Sequence, residues 1–328
     1  MKRILITGGA GFIGSHLAEY LLKKNNKITI IDNFSTGNLS NILEIKNKVE
    51  IIRADVSKIG TWGRSFKNKD IIFHLAALSD IVPSVENPSD YFNSNVIGTF
   101  NVLEMTKKYQ IKKFIYAASS SCYGIPKKYP TSEQAEISPQ YPYALTKNLG
   151  EQLVINWNRI YKIPAISLRL FNVYGPRVKN SNNYGAMFGI FMAQKLANKP
   201  FTVVGDGNQT RDFTYVTDVC RAFEVASKNK NCVGKIYNIG SGKTISINKI
   251  VSLLRGKKIF IPKRPGEPHA TFADISKIKK DTKWRPKVNI YKGIKLMLDN
   301  IDLWKKAPIW DAKSIAKETK IWFKYLHE

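Results

Sequence analysis

Ile4-Leu5-Ile6-Thr7-Gly8-Gly9-Ala10-Gly11-Phe12-Ile13-Gly14 is the stretch on which the fold turns. A short apolar run gives way to four closely spaced glycines, and a helical pattern follows from Ile13 to Lys24. That succession reads as strand, tight turn and helix. Gly8 allows the turn, Gly11 lets the backbone approach a pyrophosphate, and Gly14 permits close helix–strand packing. Backbone N–H groups at the helix start, around Phe12 and Ile13, are then placed to bind the anion. Met1-Lys2-Arg3 imitates the charged start of a signal peptide, but the glycines interrupt the apolar region such a peptide needs.

Outward from this turn, short apolar runs alternate with helical patterns. Ile4–Thr7, Ile28–Asp32, Val49–Arg53, Ile71–Leu75, Phe114–Ala118 and Ala165–Leu170 read as buried parallel strands. In Asp90–Tyr109 the apolar residues Phe92, Val96, Phe100 and Leu103 recur at helical spacing. The alternation predicts an α/β fold, a Rossmann-type doubly wound parallel sheet. Asp32 closes the second strand, where a carboxylate can accept from a ribose diol and would repel a 2′-phosphate. With Asn33, Phe34, Ser35 and Thr36 after it and no adjacent Arg, NAD is favoured over NADP. Asp55-Val56 falls where an adenine edge could be read, and Leu75-Ala76-Ala77 offers small residues to a nicotinamide half.

Past Asn172 the rhythm changes. Pro176–Gly189 is rich in Asn, Gly and Ser, and Phe260–His269 holds prolines among basic residues, so both read as loops over a smaller lobe. The expected division places residues 1–172, with about 212–240, in a NAD-binding Rossmann domain. Residues 173–211 and 241–328 form a C-terminal α+β substrate lobe. The tail, Asp311–Glu328, carries Ile315, Trp322 and Leu326 on one helical face, a stripe expected to pack on the body or a partner subunit.

Composition narrows the class. The chain has 328 residues, 43% of them hydrophobic, and no apolar run approaches the about eighteen residues of a membrane span. Cys122, Cys220 and Cys232 are isolated and odd in number, which argues against a disulfide framework or zinc site and points to a reducing cytoplasm. The net charge of +27 would suit nucleic acid, but the basic residues are spread along the chain without a stripe or patch. Nucleic acid is therefore not expected as a partner, and the excess favours anionic small ligands.

Ser119-Ser120-Ser121-Cys122-Tyr123-Gly124 ends the fifth apolar run, and Tyr143-Ala144-Leu145-Thr146-Lys147 follows. Tyr143 and Lys147 are four apart and share a helical face. A phenol with a pKa of about 10 is a poor base, but a nearby ammonium and a positive nicotinamide ring both favour phenolate. Ser119 can donate to a substrate oxygen as it becomes a carbonyl. Tyr123 and the segment Ser79–Ser84 are expected to shape the substrate pocket, while His74 and Asp218 read as structural and His269 as solvated.

The glycine turn, the serine run and Tyr-x-x-x-Lys together resemble the extended short-chain dehydrogenase/reductase family, in its NAD-dependent epimerase/dehydratase branch. The likeness covers nearly the whole chain. Three later segments resemble nucleotide-sugar enzymes of that branch: Arg169–Arg177, Gly205–Phe213 and Arg264-Pro265-Gly266-Glu267. The resemblance implies that Lys147 bonds the nicotinamide ribose and that Asn172 and Arg211 approach a diphosphate. It further implies that Arg264 belongs to the nucleotide site, that Glu267 holds a ribose, and that two helices, including that of Tyr143, build a homodimer. Related 4,6-dehydratases follow the equivalent hydroxyl with Asp-Glu, to work at C5 and C6, and decarboxylating relatives carry a nearby Glu. Here Ser120 and Ser121 stand instead, closest to UDP-hexose 4-epimerases that accept N-acetylhexosamines. The expected activity is a 4-epimerase acting on a nucleotide-diphosphate sugar. A 4,6-dehydratase, a C4 oxidase or reductase, and a non-enzymatic Rossmann binding protein remain as alternatives.

Overall fold

The computed structural model describes residues 1–178 and 185–326. Its frame is β1 (Arg3–Thr7), α1 (Phe12–Leu22), β2 (Lys27–Asp32), β3 (Glu50–Arg53), β4 (Ile71–His74), α2 (Gly98–Lys108), β5 (Lys113–Ser119), α3 (Pro142–Tyr161), β6 (Ala165–Leu170), α4 (Val216–Lys228) and β7 (Ile236–Ile239). The seven strands form one parallel sheet in the order β7-β6-β5-β4-β1-β2-β3. Successive strand residues point to opposite faces. Ile4, Ile6, Ile30, Phe73 and Ile115 therefore enter one core, while Leu5, Ile31, Ile72, Phe114 and Tyr116 enter the other. Helices cover both faces, so the strands need apolar residues throughout.

The strand order reverses between β1 and β4, whose ends meet in the pair Thr7↔His74. At such a switch point the connections leave in opposite directions and open a crevice at the carboxyl ends of the strands. The site lies there. Beyond the main sheet, three small pairs build the lobe across the crevice: Val173–Tyr174 with Thr214–Tyr215, Phe201–Val204 with Lys258–Ile261, and Thr210–Arg211 with Ile245–Ser246. Asp212 knits this lobe together. Fully buried, it accepts from the backbone N–H groups of Ser241, Gly242 and Ala273.

Several expectations shift. β3 is only half-buried because it is an edge strand, with one neighbour instead of two. Phe92 and Phe100 are 45% and 39% exposed although their spacing is helical; the inward face of that segment carries Tyr91, Asn95, Val102 and Leu103. Of the loop expected over Pro176–Gly189, residues 179–184 lie outside the described residues, and a helix begins at Met187. The loop expected from Phe260 starts at Pro262, since Phe260 and Ile261 end a strand. The tail is two short helices, Ala312–Glu318 and Lys320–Tyr325, and residues 327–328 are outside the described part. Ile315 and Trp322 are buried on the body, where the Trp322 indole donates to the Pro265 carbonyl at 2.8 Å. Among the described residues no helix is long and apolar enough to cross a membrane.

Candidate active site

A cleft of about 1380 Å³ runs along the carboxyl ends of the strands. One end is built from the glycine turn. Gly8 has φ +70°, and a Cβ there would lie 2.7 Å from the Ala76 backbone nitrogen, so only glycine lets the first turn touch the loop after β4. A Cβ at Gly14 would collide with the Gly8 carbonyl oxygen. Gly11 precedes α1 and lines the cleft with Phe12 and Ile13. The buried Asp32 accepts from the N–H groups of Ala10 (2.9 Å) and Phe34 (2.8 Å), which fastens the β2 end to the turn. Burial pushes its pKa up, against the pull of those two bonds. Asn33, Asp55, Val56, Leu75, Ala76 and Ala77 line the same end. For Asp55, burial raises the pKa, but hydrogen bonds from Ser57 and Asn33 outweigh it and the net shift is downward.

Behind the loop after β4 runs a hydrogen-bond chain that sequence reading missed. The Ala76 N–H donates to Thr7 Oγ1 (3.3 Å), and Thr7 Oγ1 lies 2.6 Å from His74 Nδ1. His74 Nε2 lies 2.9 Å from Thr99 Oγ1, which donates to the Asn95 carbonyl at 2.6 Å. Thr99 spends its proton on Asn95, so His74 must donate from Nε2 and accept from Thr7 at Nδ1. Every link then runs one way. Burial lowers the His74 pKa to about 3, keeping the ring neutral. Asn95, in the wide helical turn Asn93–Ile97, exchanges bonds with the backbone of Leu78 (2.8 and 3.1 Å) and donates to Thr146 on α3. The only sequence signal for it is a polar residue on the buried face of an apolar helix.

Ser119, Tyr143 and Lys147 come together at the middle of the cleft. Ser119 ends β5, and its hydroxyl lies 2.7 Å from that of Ser121 and accepts the Ser121 N–H. Tyr143 rises from the first turn of α3, stacked beside Tyr141 with ring centroids 6.4 Å apart. Lys147, one turn on, is buried, with Nζ 4.3 Å from the centre of the Tyr116 ring. The sequence reading lowers the Tyr143 pKa, but in the protein alone burial pushes it up. Hydrogen bonds to Ser119 and Ser121 pull it down, and Asp80 pushes it up further. Burial likewise brings Lys147 down to about 7, opposed by Glu151. Both members of the pair are therefore desolvated, which disfavours their charged forms.

The opposite end carries Asn172, Arg211 and Glu267, with Arg264 on the wall of an adjoining pocket of about 190 Å³. Glu267 lies 3.1 Å from Arg264 and 3.6 Å from Arg211. Asn172 Oδ1 accepts from the Thr271 hydroxyl at 2.7 Å, a partner not foreseen from sequence. Ser120 also lines the cleft. Tyr123 does not: its hydroxyl donates to Asn238 and accepts from Arg169, inside the core. Arg169 is buried too, paired with Glu151, because two charges removed from water need each other. Of Ser79–Ser84, the residues Ser79, Asp80 and Ile81 line the cleft, while the buried Ser84 donates to the Ile81 carbonyl. Asp218 binds the N–H groups of Lys287 and Val288 as a structural residue, and His269 is exposed.

A doubly wound sheet with a glycine turn at its switch point, and a tyrosine–lysine pair in the same crevice, is the frame of a Rossmann-type enzyme. The match to the family described as "NAD dependent epimerase/dehydratase family" spans residues 4–240, and the chain belongs to that family. A candidate UDP-glucose 4-epimerase of Methanocaldococcus jannaschii is 39% identical, over 90% of this chain and 97% of its own length. A UDP-N-acetyl-alpha-D-glucosaminuronate decarboxylase of Bacillus cytotoxicus is 33% identical, over 90% and 96%. Among solved structures, the UDP-glucuronic acid 4-epimerase of Bacillus cereus, in complex with UDP-glucuronic acid and NAD, superimposes with a TM-score of 0.85. It is 35% identical, with 92% of this chain and 99% of that one covered.

Proposed function

We propose that the protein is a nucleotide-sugar 4-epimerase that inverts C4 of an NDP-hexose, with UDP-hexose as the substrate class. The observation that carries this reading is the Ser119–Ser121 segment beside Tyr143. It offers hydroxyls and no carboxylate where elimination at C5 and C6 would need an acid and a base. Relatives named as epimerases and the family's NAD dependence support it.

Residues 1–172, with about 212–240, hold NAD, and 173–211 with 241–328 hold the nucleotide sugar. The cradle fits a dinucleotide, since added Cβ atoms at Gly8 and Gly14 would close the turn and Asp32 stands at the end of β2. Gly8, Gly11, Phe12 and Ile13 meet the pyrophosphate, Asp32 and Asn33 the adenosine ribose, Asp55 and Val56 the adenine. Leu75, Ala76 and Ala77 back the nicotinamide half. NAD, when bound, supplies a hydride acceptor and donor together with a positive ring that favours the Tyr143 phenolate. Tyr143 takes the proton of the C4 hydroxyl and later returns it, and Ser119 donates to the same oxygen while it is a ketone. Lys147 orients the nicotinamide ribose and steadies the phenolate. Asn172 and Arg211 bind the diphosphate, Arg264 lies beside the nucleoside, Glu267 accepts from its ribose, and Ser120 borders the sugar. Arginine suits this because its planar donors meet phosphate oxygens two at a time.

The protein acts in the cytoplasm as a homodimer. Phe92, Phe100, Leu145, Ile160 and Tyr161 support the dimer: they leave an apolar face exposed along α2, α3 and the turn before them. Sedimentation should read two chains. The function itself is tested by incubating the purified protein with UDP-glucose, UDP-N-acetylglucosamine and UDP-glucuronate without added NAD and following the products by NMR. Interconversion of C4 epimers is expected. A 4-keto-6-deoxy or decarboxylated product would refute it.

A further inference from the structure

We propose that Trp322, in the C-terminal tail, is a positioning residue for the nucleotide sugar. It holds the segment Arg264–Glu267 in register with the start of the helix that carries Tyr143. The inference rests on reading the cleft as a nucleotide-sugar 4-epimerase site. It adds to that site a residue from beyond the family match, which ends at residue 240.

Three contacts of this one side chain carry the proposal. Trp322 is buried, although its helix, Lys320–Tyr325, has only six residues and leaves Phe323 and Tyr325 exposed. A helix that short is not stable by itself in water, so its place comes from what it packs on. The indole N–H donates to the Pro265 carbonyl at 2.8 Å. The Arg264 guanidinium lies over the indole, its central carbon 5.5 Å from the ring centre. The same ring lies 6.3 Å from the Tyr141 ring, centre to centre, tilted by 51°. The helix also packs on the short helix Ile81–Glu86, whose first residue lines the cleft.

Each contact reaches a different part of the site. A guanidinium over an aromatic face still donates from its edge, and Arg264 does so to Glu267 at 3.1 Å. Pro265 is followed by Gly266, with φ +71°, and Gly266 and Glu267 then line the cleft. The bond from Trp322 therefore fixes the backbone just before that turn. Tyr141 is the residue immediately before α3, and its ring stacks beside that of Tyr143. Burial pushes the Tyr141 phenol up, Tyr143 and Glu267 add to that, and Arg211 opposes it. Tyr141 thus stands between the catalytic pair and the charges at the opposite end. In a nucleotide sugar the diphosphate separates the nucleoside from the hexose, so a tilt of the segment that holds the nucleoside is carried to C4. Small misplacements of reacting atoms are costly in rate. A tryptophan that only fastened the tail would lower stability on removal and leave the affinity of the folded protein unchanged.

The test measures UDP affinity by calorimetry for the wild type, Trp322→Leu, Arg264→Met and the double variant, with near-ultraviolet circular dichroism to identify folded protein. Having lost one cation–π contact and one hydrogen bond, Trp322→Leu should bind UDP about tenfold more weakly. In the Arg264→Met background the same substitution should cost only about threefold, the share of the Pro265 bond. Trp322→Phe keeps a ring and loses the donor, so it should also lose about threefold. With UDP-glucose, KM should rise in Trp322→Leu and kcat should fall as well. Wild-type UDP affinity in folded Trp322→Leu overturns the proposal, as does an equal loss in both backgrounds. If Trp322→Leu does not fold, Trp322→Phe decides, and wild-type affinity there overturns it. The expected pattern of UDP affinities without any C4 inversion supports the role of Trp322 and counts against the epimerase reading instead.

Discussion

The two ends of the cleft are built in different ways. The end proposed to hold the cofactor is made of consecutive residues at strand termini: the turn Gly8–Gly14, Asp32-Asn33, Asp55-Val56 and Leu75–Ala77. Its shape follows from backbone geometry, since a Cβ at Gly8 or Gly14 would strike main-chain atoms. The end proposed to hold the sugar is gathered from Asp80, Ser119–Ser121, Asn172, Arg211 and Glu267, joined by side-chain bonds such as Thr271 to Asn172 and the arginines to Glu267. A site written in backbone conformation has little freedom to vary. One written in side chains can change its ligand by single substitutions, which fits a family in which one cofactor accompanies several sugar chemistries.

That contrast can be broken most sharply at the seam. Tyr143→Phe should lower turnover by about a thousandfold, the usual range for removing a general base, while retaining bound NAD. Near-normal turnover in steady-state assays would remove Tyr143 from the chemistry. At the sugar end, Arg211→Met should weaken UDP binding by roughly ten- to a hundredfold and leave NAD binding unchanged, because Arg211 is half-buried and charged with Glu267 as its counter-charge. A parallel loss of NAD would show that the two ends are not separable. At the cofactor end, His74 should act through stability. Its folded pKa of about 3 lies below the ordinary 6.5, so the unfolded chain binds the proton first and stability falls as pH drops below about 6.5. Between pH 7 and pH 5 this amounts to about 2 kcal/mol. Urea titrations of the wild type and His74→Gln should therefore draw together by that amount at the lower pH, and parallel curves would mean His74 is not held neutral.

The same contrast explains what was legible in the sequence. The glycine turn and the six first strands were readable because each depends on local periodicity and backbone freedom. β3 was read too deeply buried because sequence does not show which strand lies at an edge. The segment from Arg169 to Arg177 was readable as a unit, yet its first arginine faces Glu151 in the core and its last binds α1. Tyr123 follows the serine run directly but turns inward, since the chain reverses at Gly124, with φ +60°. Asn95 carried only a faint local signal and Thr271 none, because each takes its place from a contact with a segment far away in the chain.

In the proposed mechanism C4 is inverted without acid–base work at C5. Running the reaction with UDP-glucose or UDP-N-acetylglucosamine in D₂O tests it most directly, by ¹H NMR of the sugar ring. C4 epimers are expected whose C4 and C5 positions keep their original hydrogens, because the hydride returns from where it was held. Deuterium at C5, or a product that has lost its C6 hydroxyl, would contradict it.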